Sequence, residues 1–277
     1  MRMDAHQHFW RYSAEEYGWI DDSMAAIRRD FLPADLAPVL AESGFASSIA
    51  VQARQSMAET RWLLELAGQS PQIAGVVGWV PLLDVNVPGF LEECVSSHKF
   101  CGVRHVLQEE PSGFFHAAAF HRGLDETTKL GLSYDLLIKQ AQMPDAIAVV
   151  DRHPNLRFVL DHFGKPVADG LPREVWMNHL QKLAERPHVW CKISGLLTEA
   201  PRRRWSAAEA QPYFDAALEA FGPERLMFGS DWPVCLTAVS HCGWTETVSA
   251  CASQLSISEQ NALFGGTASA FYLKTTP

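Results

Sequence analysis

Residues 73–80 read Ile73-Ala74-Gly75-Val76-Val77-Gly78-Trp79-Val80, a run with no charged side chain and no apolar–polar alternation. A strand with one wet face alternates, so this run predicts a parallel strand covered on both faces. Seven further short apolar segments recur on either side of it, at residues 2–6, 47–52, 102–107, 134–138, 157–160, 189–193 and 226–228. The intervals between them suit helices. Residues 32–43 carry Pro33 near their start, and residues 56–70 place Met57, Thr60, Leu63, Leu64 and Ala67 at near-helical spacing. Residues 144–152, 175–186 and 207–221 follow, the last bounded by Gly222-Pro223. Ser258-Glu259-Gln260-Asn261 starts a closing helix that runs toward Phe271.

Strand–helix alternation without a linker or composition break predicts one α/β domain over residues 1–277. Eight strands are the count of a closed (β/α)8 barrel of the TIM type. An open doubly wound sheet competes, but it lacks its glycine-rich phosphate turn: the first strand is followed by Gln7-His8-Phe9-Trp10. Stretches 8–30, 108–122 and 163–172 show no periodicity and read as loops on the functional face of such a barrel.

The balance of 23 basic and 32 acidic residues, a net charge of −9, argues against a nucleic-acid partner. A local arginine can still hold a small anion. No apolar run approaches the roughly 18–20 residues that cross a bilayer, and no signal-peptide core follows the N-terminus, so no membrane partner is expected. The six cysteines form no CxxC pair and read as reduced thiols of a cytoplasmic protein. The outer-helix pattern leaves monomer and dimer equally open.

Polar groups end strand after strand: His6 and His8, Gln52 with Arg54 beyond it, Trp79, Arg104-His105 with Gln108, Lys139, Asp161-His162, Lys192 with Ser194, and Asp231-Trp232. Under the barrel reading they converge on one cavity. His6 and His8, two apart on an extended backbone, share a side, and Asp231 arrives at the same end of the sheet. That trio either holds a metal that activates water or surrounds a hydrolysable bond with imidazoles and a carboxylate. Strand neighbours face opposite sides, so one of Arg104 and His105 should face the cavity, and Asp161 and His162 should not both enter it. Arg104 offers a donor fork for carboxylate or polyol oxygens, and His105 would orient a substrate carbonyl. Trp10, Trp79 and Trp232 suit stacking on a sugar ring. The plainer alternatives are capping or packing histidines, a turn-capping Asp231, a surface Lys139, and tryptophans that plug the barrel mouth.

Four motifs, DAHQHFW (4–10), GVRHVLQEEP (102–111), FVLDHFGKP (158–166) and FGSDWPV (228–234), together resemble the amidohydrolase superfamily. More narrowly they are similar to its sugar-lactone hydrolase branch, the L-fuconolactonase- and L-rhamnonolactonase-like proteins. The resemblance implies the (β/α)8 barrel, His6, His8 and Asp231 as ligands of any bound metal, His162 as the strand-six histidine, and Asp231 as general base. The superfamily's two-metal pattern needs a bridging carboxylate or modified lysine after strand four and a histidine after strand five. Arg104-His105 and Lys139 stand there instead, so the implied cofactor is a single Zn2+ or none. The implied reaction opens an aldonolactone, L-fuconolactone or a stereochemically related 1,4- or 1,5-lactone, to the aldonate. Asp231, His162 and His105 are then the catalytic candidates, with Arg104, Lys139, Gln108, Gln52, Trp10, Trp79 and Trp232 reading the ring. A zinc-dependent decarboxylase or C–C hydrolase of the same superfamily and a catalytically inactive sugar-acid binding barrel are the alternative functions.

Overall fold

Eight parallel strands pair strictly in chain order: β1 (Met3–Gln7), β2 (Ser47–Val51), β3 (Ile73–Gly78), β4 (Phe100–His105), β5 (Ser133–Leu136), β6 (Arg157–Leu160), β7 (Val189–Ile193) and β8 (Leu226–Phe228). The structure, a computed structural model, describes residues 1–167, 170–199 and 206–273. Residues 168 and 169 of the loop expected at 163–172 therefore lie outside the described residues.

The short β8 alone does not close the ring. The chain just beyond it does: Asp231 N donates to His6 O at 2.8 Å, and His8 N donates to Trp232 O at 2.7 Å. The result is an α/β fold, a closed (β/α)8 barrel. β4 begins ahead of the expected segment, and Leu107, apolar but no longer extended, opens a 3-10 turn at Leu107–Glu109.

The anticipated helices form at Pro33–Glu42, Met57–Gln69, Met143–Arg152, Arg173–Ala184 and Ala207–Phe221. Ser56 and Ser206 start two of them by accepting from backbone N–H groups of the first turn. Val87–Val95, Ala118–Lys129 and His241–Cys251 are helices that the periodicity did not announce. Ala118–Lys129 overlaps the stretch expected to be a loop. Its buried face is Phe120, His121, Gly123, Leu124 and Thr127, so a search for apolar spacing passes over half of it. The closing helix starts earlier than expected. Ser256 caps it in a reciprocal box with Glu259, and it continues from Ile257–Asn261 through a π-helical turn to Thr267–Tyr272.

Two apolar regions flank the strands. The larger fills the space between strands and helices, with Leu63, Val76, Val103, Leu124, Phe158 and Leu180 among its fully buried members. The smaller gathers Met3, Ile49, Val51, Val77, Val159 and Met227 with Phe271 and Tyr272 of the last helix. Each such side chain contributes about 1.5–3 kcal/mol on burial. The last helix meets the strand starts: Arg157 donates to Phe271 O at 2.5 Å, and the Trp190 and Phe271 rings lie 4.9 Å apart. One end of the barrel is thus plugged with hydrocarbon, and polar chemistry is left to the other. Among the described residues no helix is long and apolar enough to cross a membrane.

Candidate active site

A cavity of about 500 Å³ opens at the C-terminal ends of the strands, within the roughly 300–1,000 Å³ common for small-molecule pockets. His8, Arg104, Gln108, His162 and Asp231 line it, together with Arg54, Glu109, Lys165 and Trp19. His6 lies fully buried just beneath.

Asp4 sets the geometry of this floor. Its Oδ1 accepts from His6 N at 3.1 Å and from Ser230 N at 2.9 Å, so one carboxylate ties the start of β1 to the segment carrying Asp231. His8 Nδ1 lies 2.8 Å from Val51 O and must donate to it, which leaves the Nε2 lone pair facing inward. His8 Nε2 stands 3.1 Å from His6 Nε2 and 3.2 Å from Asp231 Oδ1, and the third side of the triangle is 3.7 Å. Two acceptors 3.2 Å apart need a proton or a cation between them.

The triangle fits zinc. Tetrahedral bonds of about 2.0–2.2 Å hold ligand atoms about 3.4 Å apart, and the His8–Val51 hydrogen bond is the outer contact that orients a ligating imidazole. A second grouping, His6, Asp161 and His162, also lies within reach of one ion. There the Asp161 carboxylate already faces Arg104 Nη1 at 3.0 Å and Lys192 Nζ at 3.0 Å, so a metal would displace existing ion pairs. Of the two groupings, His6, His8 and Asp231 are the residues that could hold a single Zn2+ without displacing those ion pairs.

Burial works against the Asp231 carboxylate, but His162, His8 and His6 outweigh it and hold the group well below the usual carboxylate range. Burial pushes His162 down to about 4. Burial and then the Lys192 ammonium push His6 well below its ordinary value. At neutral pH the floor therefore carries an ionised carboxylate beside at least two neutral imidazoles.

Below lies a charged layer inside the barrel. Lys192 Nζ, fully buried, donates to Asp135 Oδ2 at 2.6 Å and lies 3.0 Å from His6 Nδ1. Tyr272 donates to the same Asp135 oxygen at 2.8 Å. Arg104 donates to Asp161 and to the Gln52 carbonyl, and its Nη1 lies 3.2 Å from His6 Nε2. Burial raises Asp135 to about 6 against the pull of Lys192. For Asp161, burial is overcome by Lys192, His6 and Arg104, which lower it well below its usual value. Removing one partner of such a buried pair costs about 3–5 kcal/mol.

Asp161 and His162 do not both enter the cavity: His162 lines it, and Asp161 lies fully buried beneath. Both nonetheless come within reach of His6, because the chain stops being extended there: His162, Phe163 and Lys165 have φ of 55°, 55° and 54°. This left-handed turn, closed by Lys165 N donating to His162 O at 2.8 Å, aims His162 and Lys165 into the cavity. His162 Nδ1 sits 2.9 Å from Ser194 Oγ, and Gly195 leaves room for the ring: a Cβ there would lie 2.5 Å from Nδ1.

Of Arg104 and His105, Arg104 faces inward. His105 does not line the cavity; it stacks on Phe114 at 4.7 Å, accepts from Trp79 Nε1 at 3.2 Å and lies 2.9 Å from Glu110. Trp79 is thereby spent on His105. Trp10 is buried, donating to Arg29 O at 2.9 Å, and Trp232 packs edge-on against Phe9 and Phe31. Trp10, Trp79 and Trp232 do not line the cavity, and among the described residues the tryptophan that does is Trp19, 42% exposed. Lys139 precedes the 3-10 turn Gln140–Gln142 outside the lining, and Gln52 donates to Arg104 O at 3.4 Å from behind.

A closed parallel barrel with one histidine on its first strand, a second just beyond it and an aspartate after its eighth fits the amidohydrolase class. The amidohydrolase family model matches residues 3–274, and the chain belongs to that family. Along its whole length it is 43% identical to the L-fucono-1,5-lactonase of Burkholderia multivorans, covering 97% of that protein. It is 35% identical to the L-fucono-1,5-lactonase of Burkholderia ambifaria, over 98% of this chain and 95% of the relative. A crystal structure of an amidohydrolase from Burkholderia multivorans with bound zinc matches with a TM-score of 0.93 at 43% identity, covering 99% of this chain and 100% of that one.

Proposed function

We propose that this protein hydrolyses the lactone of a sugar acid, L-fucono-1,5-lactone or a stereochemically related 1,4- or 1,5-lactone, to the open-chain aldonate. The observation that carries the reading is geometric: the Asp231 carboxylate lies 3.2 Å from His8 Nε2 and 3.7 Å from His6 Nε2, with His8, His162 and Asp231 all lining one cavity of about 500 Å³. The whole chain, residues 1–277, acts as one barrel domain.

Asp231 takes a proton from water as the water oxygen attacks the lactone carbonyl carbon. The tetrahedral intermediate collapses by breaking the ring C–O bond, and the departing alkoxide recovers the proton from Asp231. One water is consumed and one hydroxy acid formed. Arg104 and Lys165 supply positive charge where the oxyanion and then the product carboxylate develop. His162, held by Ser194, orients the water or the substrate, the role that His105 is too remote to fill. Gln108, Arg54 and Glu109 offer donors and acceptors to the ring hydroxyls, and Trp19 an apolar face. His6, His8 and Asp231 would hold a single zinc ion, which would supply Lewis acidity. All six cysteines are free thiols, five of them buried, which supports a reducing, cytoplasmic setting.

A panel of aldono-1,4- and 1,5-lactones followed with a pH indicator tests the proposal. Enzyme-dependent acid release from one hydroxyl configuration is the expected result. Saturable binding with no acid release above the blank would reject hydrolysis.

A further inference from the structure

His6 faces contradictory neighbours. Its Nδ1 has the donor-only Lys192 Nζ at 3.0 Å and the acceptor Asp161 Oδ1 at 3.3 Å. Its Nε2 has the donor-only Arg104 Nη1 at 3.2 Å, and the acceptors His8 Nε2 at 3.1 Å and Asp231 Oδ1 at 3.7 Å. A neutral imidazole carries one N–H, so only two of these contacts are satisfied at once.

With the proton on Nε2, Nδ1 accepts from Lys192 and the N–H enters the triangle of acceptors formed with His8 and Asp231. With the proton on Nδ1, the N–H goes to Asp161, Nε2 accepts from Arg104, and the lone pairs of His6 and His8 face each other across 3.1 Å. The first arrangement uses the shorter contacts and removes the lone-pair clash. The second presents the Nε2 lone pair that a metal ion needs.

We infer that Lys192 is a positioning residue that holds His6 in the Nε2–H tautomer while the site is metal-free, and that zinc binding moves this proton to Nδ1, where Asp161 receives it. The ring's charge is the same in both states; the proton changes nitrogen and partner. Lys192 and Asp161 are thus paired selectors, and breaking the Lys192 hydrogen bond is part of the cost of metal binding. The inference rests on the hydrogen-bond geometry and is independent of which lactone is hydrolysed.

The test uses the full chain labelled with ¹⁵N-histidine, with the His6 signals assigned by their loss in His6→Gln. In metal-free protein the expected spectrum has a protonated His6 Nε2 and an unprotonated, hydrogen-bonded Nδ1; adding zinc should exchange the two. A protonated Nδ1 before zinc is added would overturn the inference. Zinc affinity of Lys192→Met, measured by competition with a chromophoric chelator, should rise about tenfold or more over the parent, the worth of one charge-assisted hydrogen bond. Unchanged or weaker zinc binding in a folded Lys192→Met also overturns it. If that variant fails to fold, the parental spectra decide alone.

Discussion

Replacing Asp231 with asparagine isolates the charge of the proposed base from its shape. Asp231 sits at φ 58°, in the left-handed region that asparagine tolerates better than most residues, so the backbone cost is small. Its backbone contacts, N to His6 O and O from Cys235 N, do not involve the side chain. The amide can still hydrogen-bond the inward lone pair of His8, 3.2 Å from the present carboxylate oxygen. The barrel seam should therefore survive and melting should shift by only a few degrees. What is lost is proton removal from water, worth about 10²–10⁴ in rate, or about 2.7–5.4 kcal/mol at about 1.36 kcal/mol per decade. The assay is acid release from L-fucono-1,5-lactone with the blank subtracted, beside circular dichroism and a thermal melt. A folded Asp231→Asn protein turning over within about tenfold of the parent would refute the reasoning, because general-base loss is larger than that.

Gly195→Ala should place its Cβ 2.5 Å from His162 Nδ1 at a φ of +68°. Displacement of His162 should lower kcat/KM at least about tenfold with a stability loss of about 1–2 kcal/mol; parental activity would remove His162 from the machinery. Trp19→Ala should raise KM by about 2–10-fold and leave kcat unchanged, since an aromatic face contributes about 0.5–1.5 kcal/mol to uniform binding. A selective loss of kcat would contradict that assignment. With Asp231 held below its usual range and His162 near 4, kcat/KM should be flat from about pH 5.5 to 8; an acid limb centred near 7 would argue for a different base. Asp161 and Asp231 both have lowered values in the fold, so their stabilisation is present above about pH 4 and lost as pH falls through those lowered values. The buried neutral His162 and His6 act earlier, because the unfolded chain takes up their protons below about pH 6.5 while the fold does not, so destabilisation monitored by tryptophan fluorescence should set in below about pH 6.5 and steepen below about pH 4.

The barrel was legible because runs such as residues 73–80 cannot serve a one-sided sheet, and because His6, His8 and Asp231 end apolar segments. Strand parity correctly allowed only one of Arg104 and His105 inside. At Asp161-His162 the outcome also matches, with His162 in the cavity lining and Asp161 buried below, but no residue type there announces the left-handed turn that brings both to His6. Asp135 and Lys192 carried an available signal: each is a charged residue inside a short apolar strand, and burial demands a partner. Their pairing across 57 residues is a tertiary fact that local pattern does not contain. Trp10, Trp79 and Trp232 were drawn toward the ligand by their position near strand ends. Trp19 lies in a long loop whose path depends on packing, and sequence spacing gave no measure of it.

The two imidazoles enter with the first strand, and the carboxylate they need arrives only after the eighth. A polypeptide emerging from the ribosome carries half a reaction centre through most of its synthesis. Contacts spanning 223 residues must then form for Asp231 to meet His8, and such distant pairings are the slow step in assembling a barrel. The proposed lactone turnover would accordingly be a readout of ring closure, since a chain arrested before residue 226 lacks the carboxylate assigned to deprotonate water.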